Sequence, residues 1–206
     1  MQENLTEVVI VLDRSGSMKS VTDETIGGYN QFIQGQKEVP GACNVTLVQF
    51  DNEYECVYAG KPLAEVPEMT RETFVPRGYT ALLDAIGKTI KDTSARILAM
   101  QKSLRPAKVL MVIITDGGEN ASKEYEYKNV HSMIKDLRAT NWEFVFLAAN
   151  IDVADYAEKM GIHSGNAARY TSDKNGTKAA LRSLNLGTAR YRGGMSASVD
   201  DFWQKK

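Results

Sequence analysis

VVIVLDRSGSMKS, residues 8–20, drives an unbroken apolar run into an aspartate and a cluster of small oxygen donors. A strand with one face in water alternates apolar and polar side chains; a continuous run fits a strand buried on both faces, as in a parallel sheet covered by helices. The pattern returns in KVLMVIITD, residues 108–116, which again closes on aspartate, and in EFVFLAAN, residues 143–150.

Between these runs the periodicity changes from continuous to helical. Residues 22–38 carry Ile26, Tyr29, Phe32 and Ile33 at helical spacing, with Thr22 or Asp23 as expected caps. Gly27 and Gly28 weaken that helix locally and suggest close packing. Residues 81–100 carry Leu82, Leu83, Ile86, Ile90, Ile97 and Met100 on one face. Further helices are predicted over 124–139, 152–161 (an Asp cap and a Gly stop) and 176–190. NVTLVQF and EYECVY are β-rich runs joined at Asp51–Asn52, which predicts a hairpin. Residues 61–79, with Pro62, Pro67 and Pro76, read as connector, and AARYTS, residues 167–172, as a last short strand. Strands alternating with helices predict an α/β class, doubly wound fold: a mainly parallel central sheet with one antiparallel edge strand and helices on both faces. One domain is expected over residues 1–192, followed by a flexible tail over 193–206.

The 206 residues are 43% hydrophobic and 25% charged, a soluble globular balance. The net charge of −1 gives no global field toward nucleic acid or membrane. Residues 174–206 hold seven Lys/Arg against two Asp, a local charge of +5 that leaves −6 for the rest. The opening residues lack an export signal and no apolar run approaches the ~20 residues of a spanning helix. With Asp51–Asn52 as the turn, Cys56 faces about Leu47, four residues from Cys43; at ~3.3 Å per residue the gap is too wide for a disulfide. Two reduced cysteines fit a cytoplasmic protein.

In an open α/β sheet, ligands bind beyond the carboxyl ends of the strands. Asp13 and Asp116 end the two most buried strands, and two carboxylates at one mouth repel each other unless a cation lies between them. Ser15 and Ser17 follow Asp13 at alternate positions, so in an extended segment the three converge. With Thr80, all five donors are hard oxygens suited to Mg²⁺, Mn²⁺ or Ca²⁺ rather than zinc or copper.

The segment DRSGSM resembles the Asp-x-Ser-x-Ser signature of the von Willebrand factor A (vWA) domain, whose metal-ion-dependent adhesion site (MIDAS) is completed by a later threonine and aspartate. Thr80 in RGYTALLDAIG and Asp116 in IITDGGEN stand in those places, and the resemblance covers about residues 5–190. It implies a Rossmann-like vWA fold in which Ser15, Ser17 and Thr80 coordinate Mg²⁺ through hydroxyls while Asp13 and Asp116 act mostly through ordered waters. One position is left for an Asp or Glu carboxylate of a protein partner. Neutral hydroxyl ligands leave the ion's charge unquenched, which suits that role. The resemblance further implies a small stand-alone bacterial or phage protein, not an enzyme, acting as an adaptor or assembly factor.

Each residue also has a plainer role: Asp13 and Asp116 as caps, Ser15 and Ser17 as turn residues beside Gly16, Thr80 as the N-cap of the next helix. Glu119 and Asn120, close to Asp116, are expected to be exposed turn residues, and His131 and His163 lie in no metal-ligand spacing. The alternatives are a metal-dependent hydrolase or phosphoryl-transfer enzyme, which lacks an evident general base, and a nucleic-acid-associated protein using the basic C-terminal segment. Asp200 and Asp201 beside Phe202 and Trp203 raise a further possibility: a tail that docks into its own metal site, or a neighbour's, for self-association.

Overall fold

The computed structural model describes residues 2–194 and 202–203, with side chains from Leu5 onward. The chain runs β1 (Gln2–Asp13), α1 (Thr22–Lys37), β2 (Cys43–Phe50), β3 (Tyr54–Pro62), α2 (Leu82–Ala99), β4 (Pro106–Thr115), α3 (Tyr127–Arg138), β5 (Trp142–Ala148), α4 (Val153–Met160), β6 (Ala167–Arg169) and α5 (Lys174–Arg192). The six strands form one sheet in the order β3-β2-β1-β4-β5-β6. Every neighbouring pair is parallel except β2 with β3, the antiparallel edge that the hairpin predicted.

The apolar runs are continuous because alternate residues feed two cores. Val8, Ile10 and Leu12 face a layer containing Tyr29, Phe32 and Ile33 of α1 and Leu181 and Leu184 of α5. Val9 and Val11 face Leu82, Ile86 and Ile90 of α2 on the opposite side. β4 divides likewise, with Leu110, Val112 and Ile114 on the first side and Val109, Met111 and Ile113 on the second. Each fully buried aliphatic side chain contributes roughly 1.5–3 kcal/mol relative to exposure, so neither face of β1 or β4 tolerates a polar residue cheaply.

From β1 the chain builds outward to β2 and β3, then returns to the other flank of β1 for β4 and continues away. The winding direction reverses between β1 and β4, and a crevice opens at such a switch point beyond the carboxyl ends. Asp13 ends β1 and Asp116 follows β4 directly, so both carboxylates stand at this crevice.

Local details refine the sequence reading. α1 starts without a side-chain cap: Val21 is its N-cap, and the Thr22 hydroxyl turns back to the carbonyls of Met18 and Lys19. Of the two glycines in α1, Gly28 permits close packing, since a β-carbon there would lie 2.3 Å from Leu181 Cδ1, whereas Gly27 faces open space. α4 has the expected Asp152 cap and stops at Gly161. β3 runs on to Pro62, and irregularities in its pairing set Cys56 opposite Val48 rather than Leu47; both cysteines are free. Asp200 and Asp201 lie outside the described residues. Phe202 is buried against α5, where a β-carbon on Gly187 would meet its ring at 2.4 Å, and its carbonyl accepts from Arg190 Nη2 at 2.8 Å. Among the described residues no helix is long and apolar enough to cross a membrane.

Candidate metal centre

After Asp13 the chain leaves the sheet and tightens into a short 3-10 helix, Gly16–Val21, held down by buried Met18 and Val21. The turn is made by Asp13 itself, whose Oδ1 accepts the backbone N–H of Ser15 at 2.6 Å, as aspartate does when it starts a loop. This folds the loop over the carboxylate and sets Ser15 Oγ 3.1 Å from Ser17 Oγ. Ser17 Oγ donates to Asp116 Oδ1 at 2.6 Å, joining the ends of β1 and β4. The other Asp13 oxygen accepts from Thr115 Oγ1 at 2.6 Å.

Thr80 arrives on a separate loop tied to the first. Arg77 N–H donates to the Arg14 carbonyl at 2.8 Å and Gly16 N–H to the Gly78 carbonyl at 3.2 Å. Gly78 has φ +67°, and a β-carbon there would strike Asn52 Oδ1, so both backbone and space require glycine. Asn120 fixes Thr80 from the other side: its Oδ1 accepts from Thr80 N–H at 2.8 Å and its own N–H donates to the Thr80 carbonyl at 3.0 Å. The hydroxyls of Thr80 and Ser17 lie 3.9 and 4.0 Å from where a β-carbon on Gly117 would stand, so both border the space above that glycine. The crevice thus brings together Asp13, Ser15, Ser17, Thr80 and Asp116, the five residues singled out from the sequence.

The electrostatics are unbalanced. Asp13 and Asp116 are almost fully buried, and neither has an ion-pair partner among the described residues. Burial pushes the Asp13 carboxyl up to about 6; bonds from Thr115 and Ser15 oppose the rise and the charge of Asp116 adds to it. Burial raises Asp116 as well, against the bonds from Ser17 and Ser172. The nearest cation in sequence, Arg14, points elsewhere, pairing with Asp51 at 3.1 Å and with Glu55. Among the described residues no three His, Cys, Asp or Glu side chains converge as metal ligands. Two buried carboxylates with several hydroxyls form instead a hard-oxygen set of low charge, which fits a hydrated divalent cation and not a soft one.

Several contributors escaped the sequence reading. Thr115 was hidden as the last residue of a buried strand. Asn120 is exposed, as expected, yet it grips Thr80, and half-buried Glu119 accepts from Leu83 N–H at 2.9 Å through Oε2 in the first turn of α2. Thr80 does not cap that helix; Ala81 is its N-cap, without a side-chain bond. Asn150 holds the Asp116 carbonyl through Nδ2 at 2.9 Å from a left-handed backbone, φ 59°, which asparagine tolerates better than most residues. Ser172 donates to Asp116 Oδ2 at 3.3 Å. Its only sequence signal was a small polar residue at the end of a predicted strand.

Comparison with known proteins agrees with this fold. The sequence pattern of the von Willebrand factor type A domain matches residues 7–185. No curated protein matches the chain. Among solved structures, proximal thread matrix protein 1 from the mussel byssus is similar with a TM-score of 0.65 at 13% identity, covering 90% of this chain and 46% of that one. The same mussel protein has also been solved with a zinc-occupied MIDAS motif, with a TM-score of 0.61 at 12% identity, over 86% and 46% of the two chains. The manganese-loaded TRAP protein of Plasmodium vivax has a TM-score of 0.57 at 15% identity, over 88% and 73%. The chain thus spans a little under half the length of the mussel protein.

Proposed function

Because the chain belongs to the von Willebrand factor type A domain family, we propose that it is a metal-dependent interaction module. Asp13, Ser15, Ser17, Thr80 and Asp116 hold one divalent cation, Mg²⁺ by preference with Mn²⁺ or Ca²⁺ as substitutes. A protein partner supplies an Asp or Glu carboxylate to that ion. The protein acts as an adaptor or assembly factor of the cytoplasm, of the small bacterial or phage type, and carries out no turnover.

One observation supports this reading above the rest: two buried carboxylates share a crevice with three hydroxyls and lack a cationic partner among the described residues. Leaving both charged costs folding energy that a bound cation removes. When bound, the ion supplies a positive centre for an anionic group. The rim suits a protein ligand, since Tyr79, next to Thr80, is 70% exposed and offers an aromatic anchor of the kind that dominates interfaces. Zinc in the mussel protein and manganese in the Plasmodium protein add support for divalent metal as a class.

Thermal unfolding in Mg²⁺, Mn²⁺ or Ca²⁺ against EDTA tests the site. At a hundredfold excess over Kd, the cation is expected to stabilise wild type by about 2.7 kcal/mol and to leave Asp116→Asn unmoved. Absence of any shift in wild type would overturn the proposal. Capture from host lysate by wild type and Thr80→Ala, each with Mg²⁺ and with EDTA, tests the partner: a protein held only by wild type in Mg²⁺ is the expected client. Identical captures in all four conditions would refute a metal-bridged contact.

A further inference from the structure

Beyond the five matched positions, the chain that follows β6 forms one wall of the same crevice. Tyr170 is 8% exposed, and its hydroxyl is fully buried with no hydrogen-bond partner among the described residues. Its backbone is fixed, with its N–H donating to the Ala148 carbonyl at 2.9 Å. It stands two residues before Ser172, which reaches Asp116, and burial first, then the charges of Asp116 and Asp13, hold the phenol in its protonated form. Two residues on, Ser172 donates to Asp116 Oδ2 at 3.3 Å, a long bond. A buried hydroxyl without a partner forfeits its hydration with nothing in return, and a ligand or an ordered water commonly satisfies such a group in native proteins.

We propose that Tyr170 and Ser172 are positioning residues for the hydration shell of the bound cation. The Tyr170 hydroxyl would hold a water of the bound cation, and Ser172 would orient the Asp116 carboxylate that it already contacts. This rests on the cation reading above and adds to it a preference for an ion that keeps several waters, as Mg²⁺ does. Groups that orient first-contact ligands and waters change metal affinity by about 10–100-fold when removed.

The test is calorimetric titration of Mg²⁺ and Mn²⁺ into wild type, Tyr170→Phe and Ser172→Ala, with the metal-free melting temperature of each. Tyr170→Phe keeps the ring and removes only the unpartnered hydroxyl. Its metal-free stability is therefore expected to equal or exceed that of wild type, while its Mg²⁺ affinity falls about tenfold; Ser172→Ala falls less. Water-proton relaxation of the Mn²⁺ complex, which reports waters on the ion, is expected to change in Tyr170→Phe; a merely structural role would leave it untouched. Wild-type affinity and relaxation in both variants would overturn the inference while the cation site stands. Wild type that binds neither ion would overturn the cation reading and this inference with it. Should Tyr170→Phe fail to fold, Ser172→Ala alone decides, with unchanged affinity counting against the proposal.

Discussion

Two buried aspartates on neighbouring strands meet opposite fates. Asp51 follows β2 and Asp13 ends β1; their exposures are 1% and 0%. Asp51 is surrounded by cations, with Arg14 Nε at 3.1 Å and Arg77 Nε at 2.9 Å, and it accepts the Glu53 N–H at 2.6 Å through its other oxygen. Among the described residues Asp13 has no cation: it accepts from the Ser15 N–H and the Thr115 hydroxyl, and it feels the charge of a second carboxylate, Asp116. Among the described residues the chain neutralises one buried charge and leaves the other without a cation, the charge that the proposed metal would balance. The arginine between Asp13 and Ser15 serves the neighbouring strand. Loop rigidity and open charge are thus divided between two adjacent carboxylates.

The largest expected effect comes from breaking the neutralised side. Asp51→Ala strands a buried Arg14 and should cost about 3–5 kcal/mol in urea unfolding, with or without metal. A loss below 1 kcal/mol would mean that Arg14 finds water or Glu55 instead, and the contrast would be weaker than drawn.

Asn120→Ala acts on the other side by freeing Thr80. It should weaken Mg²⁺ binding about tenfold while changing metal-free stability far less than Asp51→Ala does; calorimetric titration and urea melts on the same samples decide. Equal losses in both measurements would make Asn120 a fold residue only.

The smallest effect concerns protons. The folded-state value of Asp13, about 6, lies above its ordinary 3.8, so between those values the metal-free folded chain holds a proton that the unfolded chain releases. Stability from this group is then fully present below pH 3.8 and is lost as pH rises through 6. A cation competes with that proton, so the melting shift caused by Mg²⁺ should shrink between pH 7 and pH 5. A shift constant over that range would place Asp13 outside the metal's influence.

Much of the fold was legible in the sequence because period and burial coincide. Continuous apolar runs at 8–12 and 109–114 could only be strands with two covered faces, and the helical stripe at 82–90 could only lie against them. That the five residues gather in one crevice was legible because Asp13 and Asp116 close buried strands, Ser15 and Ser17 share the loop after β1, and Thr80, on a separate loop, fits the vWA pattern. What could not be read was pairing across the sheet. No local pattern tells that Arg14 turns to Asp51, that Asn120 reaches Thr80, or that Ser172 bonds Asp116. The position of Cys56 was misjudged by one residue because β3 is irregular against β2, and such slips leave no mark on an alternating pattern. Thr22 looked like a cap, yet the 3-10 helix before it supplies carbonyls that draw its hydroxyl backward.

The bond between Thr115 and Asp13 spans 102 residues of sequence. On a ribosome adding roughly 5–20 residues per second, the first half of this site waits seconds for the second. No cation can be captured in its native setting until β4 has slid in beside β1, a long-range step that ranks among the slower ones in folding. On the proposed reading, metal would then enter too late to guide the chain. It would act as a latch on a finished sheet, lengthening the life of the native state without hastening its birth.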